Sequence, residues 1–200
     1  MTRFNKAFLA AALIAVAAVP AMAQNFSDGY TFLKAVRERD GNKVNEFVNG
    51  TTGSSIINHR DPDSGEGGLH IVVRGRDLTW LTFLLRRGAR PDLQNDEGVT
   101  PLILAAQIGW LPGAEQLLAR GANPNLANNS GETPLIYAVQ ARHLPMVRLL
   151  LSKRADPNIS DSMQGYSAID YARRDPRAAQ ILRELEAPRT AETPAPSSAN

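Results

Sequence analysis

The 200-residue sequence contains no cysteine. The absence of thiols excludes disulfides, thiolate metal sites, iron–sulfur clusters and thiol catalysis, so the fold must be stabilised by packing. The sequence also lacks a strong charge of either sign, because 22 lysine and arginine residues face 20 aspartate and glutamate residues. No basic run with interleaved aromatic residues is present. We therefore expect no nucleic-acid partner.

Long apolar runs are missing, except for residues 7–19 near the N-terminus. Arg3 and Lys6 precede this run, and Ala21-Met22-Ala23 follows it, which is the order typical of a cleaved secretory signal peptide. The run is shorter than the roughly 20 residues that span a bilayer. We predict that residues 1–23 form a signal peptide, with a retained anchor as the alternative. The remaining chain would be periplasmic or secreted, without stable membrane insertion and with balanced charge.

The sequence repeats itself with a period of 33 residues. Thr100-Pro101-Leu102 returns as Thr133-Pro134-Leu135, and LLARGANPN at 117–125 returns as LLSKRADPN at 150–158. The related segment LLRRGARPD lies one period earlier, at 84–92. A fixed period of this length indicates stacked units of supersecondary structure that bury a continuous core together.

Each unit predicts two short helices. Thr100 is a suitable N-cap, and Pro101 fits the first helical position, where no backbone donor is needed. Pro112 is predicted to begin the second helix, and Gly121 follows its end, where a positive φ is favoured. Arg154 replaces this glycine in the next unit, so an altered or strained helix end is expected there.

This pattern resembles that of ankyrin repeats, in which a β-turn with glycine precedes Thr-Pro-Leu, a second helix ends in Leu-Leu, and Gly-Ala-x-x-Asn follows. The resemblance is clear over residues 61–158 and weaker on either side. It implies an all-α solenoid of about five helix–turn–helix units joined by β-hairpin-like turns. His70 alone keeps the family histidine, which we interpret as a structural hydrogen-bonding group between adjacent loops. Gly67-Gly68 replaces Thr-Pro, so the helix that follows should be poorly capped.

The predicted organisation is one ankyrin-repeat domain over residues 24–186. The predicted units are 24–60, 61–94, 95–127, 128–161 and 162–186, of which the first and last are degenerate capping repeats. A helix pair is expected within residues 24–53, followed by a longer connection over 51–60. Residues 187–200 consist mainly of Pro, Ala, Ser and Thr, which predicts a disordered tail.

The sequence offers no recognisable catalytic or metal site. His59, His70 and His143 belong to different units or connections. The segment from Asp61 to Gly65 resembles the start of a calcium loop, but its twelfth position is Val72, and a turn is the favoured interpretation. Gly-x-Ser-x-Gly and phosphate-binding glycine loops are absent. We predict that the protein is not an enzyme and has no catalytic residues, cofactor or metal.

The resemblance implies that partners bind to the surface. In ankyrin proteins, hairpin tips and the exposed side of the first helices line one concave face that binds other proteins. The corresponding residues here are Asp63, Ser64, Glu66, Arg74, Asp96, Glu97, Val99, Gln107, Ile108, Asn129, Ser130, Glu132, Gln140 and Ala141. Trp110 and His143, in the turns between paired helices, complete the predicted partner-binding set. The last tip contributes Met163, Gln164 and Tyr166 in the same way.

Two of these residues are apolar where the family pattern is usually polar, namely Ile108 and Trp110. Tryptophan is a frequent anchor in protein interfaces, which favours a binding role for Trp110. Packing of Trp110 on Arg142 or His143 of the neighbouring unit is the alternative.

Together these features predict a monomeric, non-enzymatic scaffold of the periplasm or cell envelope that binds another protein. Family analogy suggests two such roles, an accessory protein that supports a periplasmic stress enzyme and an immunity-type protein that neutralises a toxin. An unrecognised enzyme or small-ligand binder is one alternative, and a deep pocket lined by histidine or acids would favour it. A structural envelope protein held by residues 187–200 is another.

Overall fold

A computed structural model of the chain describes residues 21–50 and 53–187, which form helices joined by turns. The α-helices are α1 (Ala21–Glu38), α2 (Gly41–Asn49), α3 (Gly53–Ile56), α4 (Gly68–Arg74), α5 (Leu78–Arg86), α6 (Pro101–Gln107), α7 (Leu111–Ala119), α8 (Pro134–Gln140), α9 (Leu144–Ser152), α10 (Ala168–Arg174) and α11 (Ala179–Glu186). A 3-10 helix, Pro176–Ala178, precedes α11. Extended pairing within these ranges is limited to two isolated bridges, Arg60 with Gly67 and Ser160 with Ser167. The predicted all-α fold class is confirmed.

The helices pair along the chain, and the pairs stack side by side. The first helices α4, α6, α8 and α10 contact one another in sequence, and the second helices α5, α7, α9 and α11 do the same. The pair α1–α2 adds to one end through contacts between α1 and α4. The result is a solenoid in which packing runs from each pair to the next.

One hydrophobic core runs through the whole stack. Leu84, Leu117 and Leu150 lie one period apart in the second helices, and each is fully buried. Burial of a leucine contributes about 1.5–3 kcal/mol to folding, so these repeated leucines are a main source of stability. The small residues Ala105 and Ala138 are also fully buried, and they allow the first helices to approach closely.

The helix ends follow the predicted capping pattern. The Oγ1 atoms of Thr100 and Thr133 accept hydrogen bonds from the N–H groups three residues later, at 3.1 and 3.3 Å. Prolines occupy the first positions of α6 and α8, as expected. At α4, Gly67 provides no side-chain cap, and its own N–H donates instead to Nδ1 of His70 at 3.2 Å.

The predicted connection over residues 51–60 contains a short helix that the sequence analysis missed. Residues 51–52 lie outside the described part of the chain, and α3 follows them. Ile56 and Ile57 are buried in the core cluster, and α3 contacts both α1 and α2. Two adjacent isoleucines that must be buried explain why this segment folds back instead of remaining extended.

The predicted signal peptide and tail are mostly outside the described residues. Positions 21–23 are the exception for the signal peptide, and they form the start of α1. Ala187 is the exception for the tail. Among the helices that the structure describes, none is both long and apolar enough to cross a membrane.

The hairpin tips between units are joined by backbone hydrogen bonds. The N–H groups of Asp96, Asn129 and Ser162 donate to the carbonyl oxygens of the preceding tip, at 3.1, 3.0 and 2.8 Å. The glycine beside each acceptor, such as Gly98, has a φ of +70° to +77°. A Cβ atom at Gly98 would lie only 2.6 Å from the backbone nitrogen of Asn129. Both the backbone conformation and the close approach therefore require glycine.

Positive φ angles also mark the turns at the helix ends. Gly121 has a φ of +87°, and Arg154 adopts +66° at the equivalent position, which confirms the expected strained helix end. Arg39, Arg76 and Arg142 have φ angles of +58°, +50° and +53° in the turns between paired helices, which the sequence analysis did not predict.

We predict that replacement of Gly98 will destabilise the fold more than replacement of Gly121. Both glycines have positive φ, so alanine costs about 1–2 kcal/mol of backbone energy at either position. Alanine at position 98 would also push against the next tip, whereas a Cβ atom at position 121 meets nothing within 4 Å. Gly98→Ala should lower the free energy of urea unfolding by about 1–3 kcal/mol more than Gly121→Ala. Equal losses would show that the tip contact contributes nothing.

Candidate partner-binding face

The predicted tip residues form one continuous edge of the solenoid. Asp63, Asp96, Glu97 and Asn129 are exposed, whereas Ser64, Glu66, Ser130 and Glu132 are half-buried. The side-chain amide of Asn129 donates to the carbonyl oxygen of Asp96 at 2.9 Å, which adds to the backbone bonds between tips. The edge is therefore a fixed surface and not a set of independent loops.

Two of the acidic residues on this edge form ion pairs with arginines. Glu66 pairs with Arg74, and Asp96 pairs with Arg60. Asp63 and Glu97 carry no ion pair to any residue that the structure describes. Two of these four acids at the first two tips are thus compensated, and two have free carboxylates.

The first helices contribute a row of polar residues beside the tips. Arg74, Gln107 and Gln140 lie one period apart on α4, α6 and α8, and all three are exposed. Their equivalent in the last pair is Arg174, also exposed, which the sequence analysis did not select. The structure therefore brings the predicted first-helix residues to one side, beside the tips.

Two predicted binding residues are buried, and these predictions of exposed contacts are wrong. Val99 is 7% exposed, and its carbonyl oxygen lies 2.9 Å from Nε2 of His70. Trp110 is also 7% exposed, and its indole covers Gly113 so closely that a Cβ atom there would overlap the ring. The glycine three residues later in α7 provides the space for the indole, so Trp110 is a core residue.

The remaining predicted residues near the inter-helix turns have structural contacts. Ile108 is half-buried, and its carbonyl oxygen accepts from the guanidinium of Arg76. His143 is half-buried and caps α9, because its Nδ1 accepts from the N–H of Met146 at 3.1 Å. The imidazole approaches Gly109 of the preceding unit. The ring of His143 therefore packs beside Gly109, next to Trp110 in the chain.

His70 links two units, as predicted. Its side chain is fully buried, with Nδ1 accepting from Gly67 and Nε2 bonded to the carbonyl of Val99 in the next unit. The geometry requires a proton on Nε2 and none on Nδ1. Burial lowers the pKa of His70 below its ordinary value of 6.5, which keeps the ring neutral. The structural interpretation of this histidine is confirmed.

Two tyrosines on the first helices were missed by the sequence analysis. The hydroxyl of Tyr137 donates to Glu132 at 2.6 Å, and that of Tyr171 donates to Asp161 at 2.7 Å. Burial, together with the adjacent carboxylate, raises the pKa of each tyrosine to about 12. The two tyrosines are 34 residues apart, which is the length of the fourth predicted unit. This spacing was the signal from which the sequence analysis could have recognised them as equivalent positions. Both rings are half-buried and held in one orientation.

The last tip forms an aromatic and apolar cluster with α10. The rings of Tyr166 and Tyr171 meet edge to face, with centroids 5.7 Å apart. The guanidinium of Arg174 lies 4.4 Å from the centroid of Tyr166. Met163 at the tip is 79% exposed. We call Gln140, Met163, Tyr166 and Arg174 the C-terminal patch.

The segment that resembles a calcium loop forms a turn. Oδ1 of Asp61 accepts from the N–H groups of Asp63 and Ser64 at 3.1 and 3.3 Å, and Oδ2 accepts from Arg37 at 3.1 Å. Burial alone would raise the pKa of Asp61, but the bonds from Arg37 and the two N–H groups hold it below the usual range. Within the described ranges, no group of three or more histidine or acidic side chains is placed to hold a metal ion.

A shallow depression of about 150 Å³ lies between α1, α4 and α5. Its ionisable residues are Arg37, Arg39 and Asp77. The carboxylate of Asp77 caps α5 by accepting from Trp80 at 3.1 Å and also accepts from Arg39 at 2.7 Å. Both carboxylate oxygens of Asp77 therefore accept hydrogen bonds that stabilise the fold, and Arg39 and Arg37 are paired with Asp77 and Asp61. None of the three ionisable residues that line the depression is left without a partner.

Stacked helix pairs with bonded hairpin tips define a helical repeat protein with an extended surface along the tips and first helices. Residues 69–161 match the family model for ankyrin repeats, with three copies. The 2-5A-dependent ribonuclease of Homo sapiens is 33% identical over 82 residues, which represent 41% of this chain. The match spans only 11% of that protein's length. The chain thus carries ankyrin repeats, a fold that is typically non-catalytic and generally mediates protein–protein interaction.

We predict that Trp110→Ala will destabilise the protein, whereas Met163→Ala will not. Removal of a buried tryptophan leaves a cavity and typically costs about 3–5 kcal/mol. Met163 is exposed, so its truncation should change stability by less than about 0.5 kcal/mol. Urea unfolding of both variants measures the difference. A near-neutral Trp110→Ala would contradict the assignment of this residue to the core.

Proposed function

We propose that the protein is a non-enzymatic scaffold of the periplasm or cell envelope, and that it binds a partner protein through its hairpin tips and first helices. The observation that carries the proposal is the C-terminal patch, where apolar, aromatic and cationic side chains lie together on the exposed edge. The predicted signal peptide supports the location.

The C-terminal patch has the composition of an energetic centre in a protein interface. Tyrosine and arginine are enriched among the residues that contribute most to binding. Arg174 makes no ion pair with any described residue, so its charge is available to a partner while its plane is held against Tyr166. The hydrogen bond of Tyr171 to Asp161 fixes the neighbouring ring. Such preorganisation lowers the entropy cost of binding.

The two free acids at the other end of the face favour a partner with basic residues there. Asp63 and Glu97 lie on adjacent tips and are exposed. Rim charges of this kind mainly steer association and fix orientation. The proposed partner therefore presents an apolar contact to Met163 and Tyr166, and basic side chains to the first two tips.

The dimensions of the face are sufficient for a stable complex. In the described part of the chain, the stack contains five helix pairs. Neighbouring pairs are separated by about one helix-packing distance, roughly 10 Å, so the face is about 50 Å long. A face of this length can provide the area of about 800 Å² that each partner contributes to a standard interface.

Site-specific crosslinking in the cell envelope tests this proposal. A photoreactive residue at position 163 should capture one protein, whereas the same residue at Arg183, an exposed position on α11, should not. Against the captured partner, Tyr166→Ala and Met163→Asp should each weaken binding by about tenfold or more, as expected for residues at an energetic centre.

Two results would contradict the proposal. The first is equal crosslinking from positions 163 and 183, which would show that contact is not confined to the face. The second is recovery of the protein from the cytoplasmic fraction with residues 1–23 intact, which would exclude the envelope location.

A further inference from the structure

The basic residues that the structure describes differ in whether a carboxylate lies beside them. Eight arginines within the described residues form ion pairs with carboxylates: Arg37, Arg39, Arg60, Arg74, Arg142, Arg148, Arg173 and Arg177. Other basic residues have no carboxylate partner there. Lys43, Arg76, Arg174 and Arg183 are spread over different elements of the fold. The remaining six lie together, and we call them the basic edge: Arg86, Arg87, Arg90, Arg120, Lys153 and Arg154. All six are exposed.

The fold aligns these six residues in a row. They lie at or just after the C-terminal ends of α5, α7 and α9, and Arg87, Arg120 and Lys153 are one period apart. The loops that carry them are bonded to one another. Asp92 accepts from the N–H of Asn123 at 2.9 Å, and the amide of Asn125 donates to the carbonyl of Arg154 at 3.2 Å. The row thus crosses three units, a distance of roughly 20 Å.

Few acids lie close enough to neutralise the basic edge. Asp92 and Asp156 are in the same loops, but both are half-buried and accept backbone N–H groups. Glu115 is the one acidic residue in the sequences of α5, α7 and α9, and it lies a full turn before the end of its helix. Within the described loops and second helices that carry the edge, six positive charges therefore face two largely occupied carboxylates. Arg87 additionally donates to the side chains of Asn45 and Asn49 of α2, at 2.8 Å each.

Stabilisation of the helix ends does not account for this concentration of charge. A cation near a helix C-terminus interacts favourably with the helix dipole, and one per helix would suffice. The edge has three arginines after α5 and two basic residues after α9. Arg154 also adopts a φ of +66°, where Gly88 and Gly121 occupy the equivalent positions without steric cost. A cation thus occupies position 154 although glycine would be the less strained residue there, which favours a role for the charge of Arg154.

We infer that the basic edge adsorbs to the surface of an anionic phospholipid bilayer. The edge is a row of exposed cations at helix ends and in loops, and the depression described above lies elsewhere, between α1, α4 and α5. Such a row matches a flat surface of mobile negative charge better than it matches a shaped ligand. Each lysine or arginine close to an anionic membrane strengthens adsorption about fivefold. No apolar anchor is needed, so the adsorption is reversible and sensitive to salt.

The charges at the other end of the same loops would orient the adsorbed protein. Arg90 belongs to the basic edge, and Asp96 and Glu97 lie at the tip six residues further on. An anionic surface attracts Arg90 and repels Glu97, which has no ion pair in the described residues, whereas the charge of Asp96 is compensated by Arg60. The hairpin tips would therefore point away from the bilayer. This inference does not depend on the proposed binding of a partner at the tips.

Vesicle cosedimentation of the full chain tests the inference. Vesicles of phosphatidylcholine with about one-third phosphatidylglycerol supply the anionic surface, and pure phosphatidylcholine is the neutral reference. Arg120→Gln/Lys153→Gln should weaken binding to the anionic vesicles about 25-fold. The matched control Lys43→Gln/Arg183→Gln removes two exposed cations outside the edge, neither of which has a carboxylate partner in the described residues, and should change binding less than twofold. Residues 1–20 are common to all variants and contribute equally.

Three results would overturn the inference. Equal weakening in the edge and control variants would show that only net charge matters. A lower melting temperature with unchanged vesicle binding would show that the cations act only on the helix ends. Binding to double-stranded DNA or polyglutamate that is weakened by the edge variant, with unchanged vesicle binding, would assign the edge to another polyanion.

Discussion

The structure depends on backbone hydrogen bonds between successive hairpin tips, which left-handed glycines make possible. At Gly98, the chain turns with positive φ and leaves room for the N–H of Asn129 to reach the carbonyl of Glu97. The same arrangement recurs at the tips around Gly65 and Gly131. Each unit is too small to hold a core alone, so this register between neighbours allows the leucines of all units to form one core. The proposed binding face is continuous because the tips are held in line.

Much of the fold was predictable, because its determinants are local and recur in the sequence. Thr100 caps α6 and Gly121 has positive φ, as the 33-residue pattern predicted. Features that depend on long-range packing were not predictable in this way. The sequence predicted Trp110 as a surface anchor, with packing on the neighbouring unit as the alternative, since the pattern does not show that its indole covers Gly113. The pairing of Tyr171 with Asp161 likewise depends on how the last hairpin folds onto α10.

The basic edge and the C-terminal patch differ in charge and polarity, which the net charge of the sequence does not show. The sequence is nearly neutral, which argued against any polyanionic partner. In the described part of the fold, carboxylates pair with half of the arginines, and the basic edge is left without such partners. The C-terminal patch instead combines exposed Met163 with a stacked Arg174. One chain can therefore offer an apolar and aromatic contact on one side and an electrostatic contact at the ends of the second helices.

Amide hydrogen exchange at the tips tests the central role of the inter-unit bonds most directly. The account predicts that the N–H of Asn129, bonded to Glu97 in the preceding tip, exchanges as slowly as the helical N–H of Leu104, because both open only when units separate. The N–H of Asp63, which donates only to the nearby side chain of Asp61, should exchange much faster. Exchange of Asn129 as fast as that of Asp63 would contradict the account.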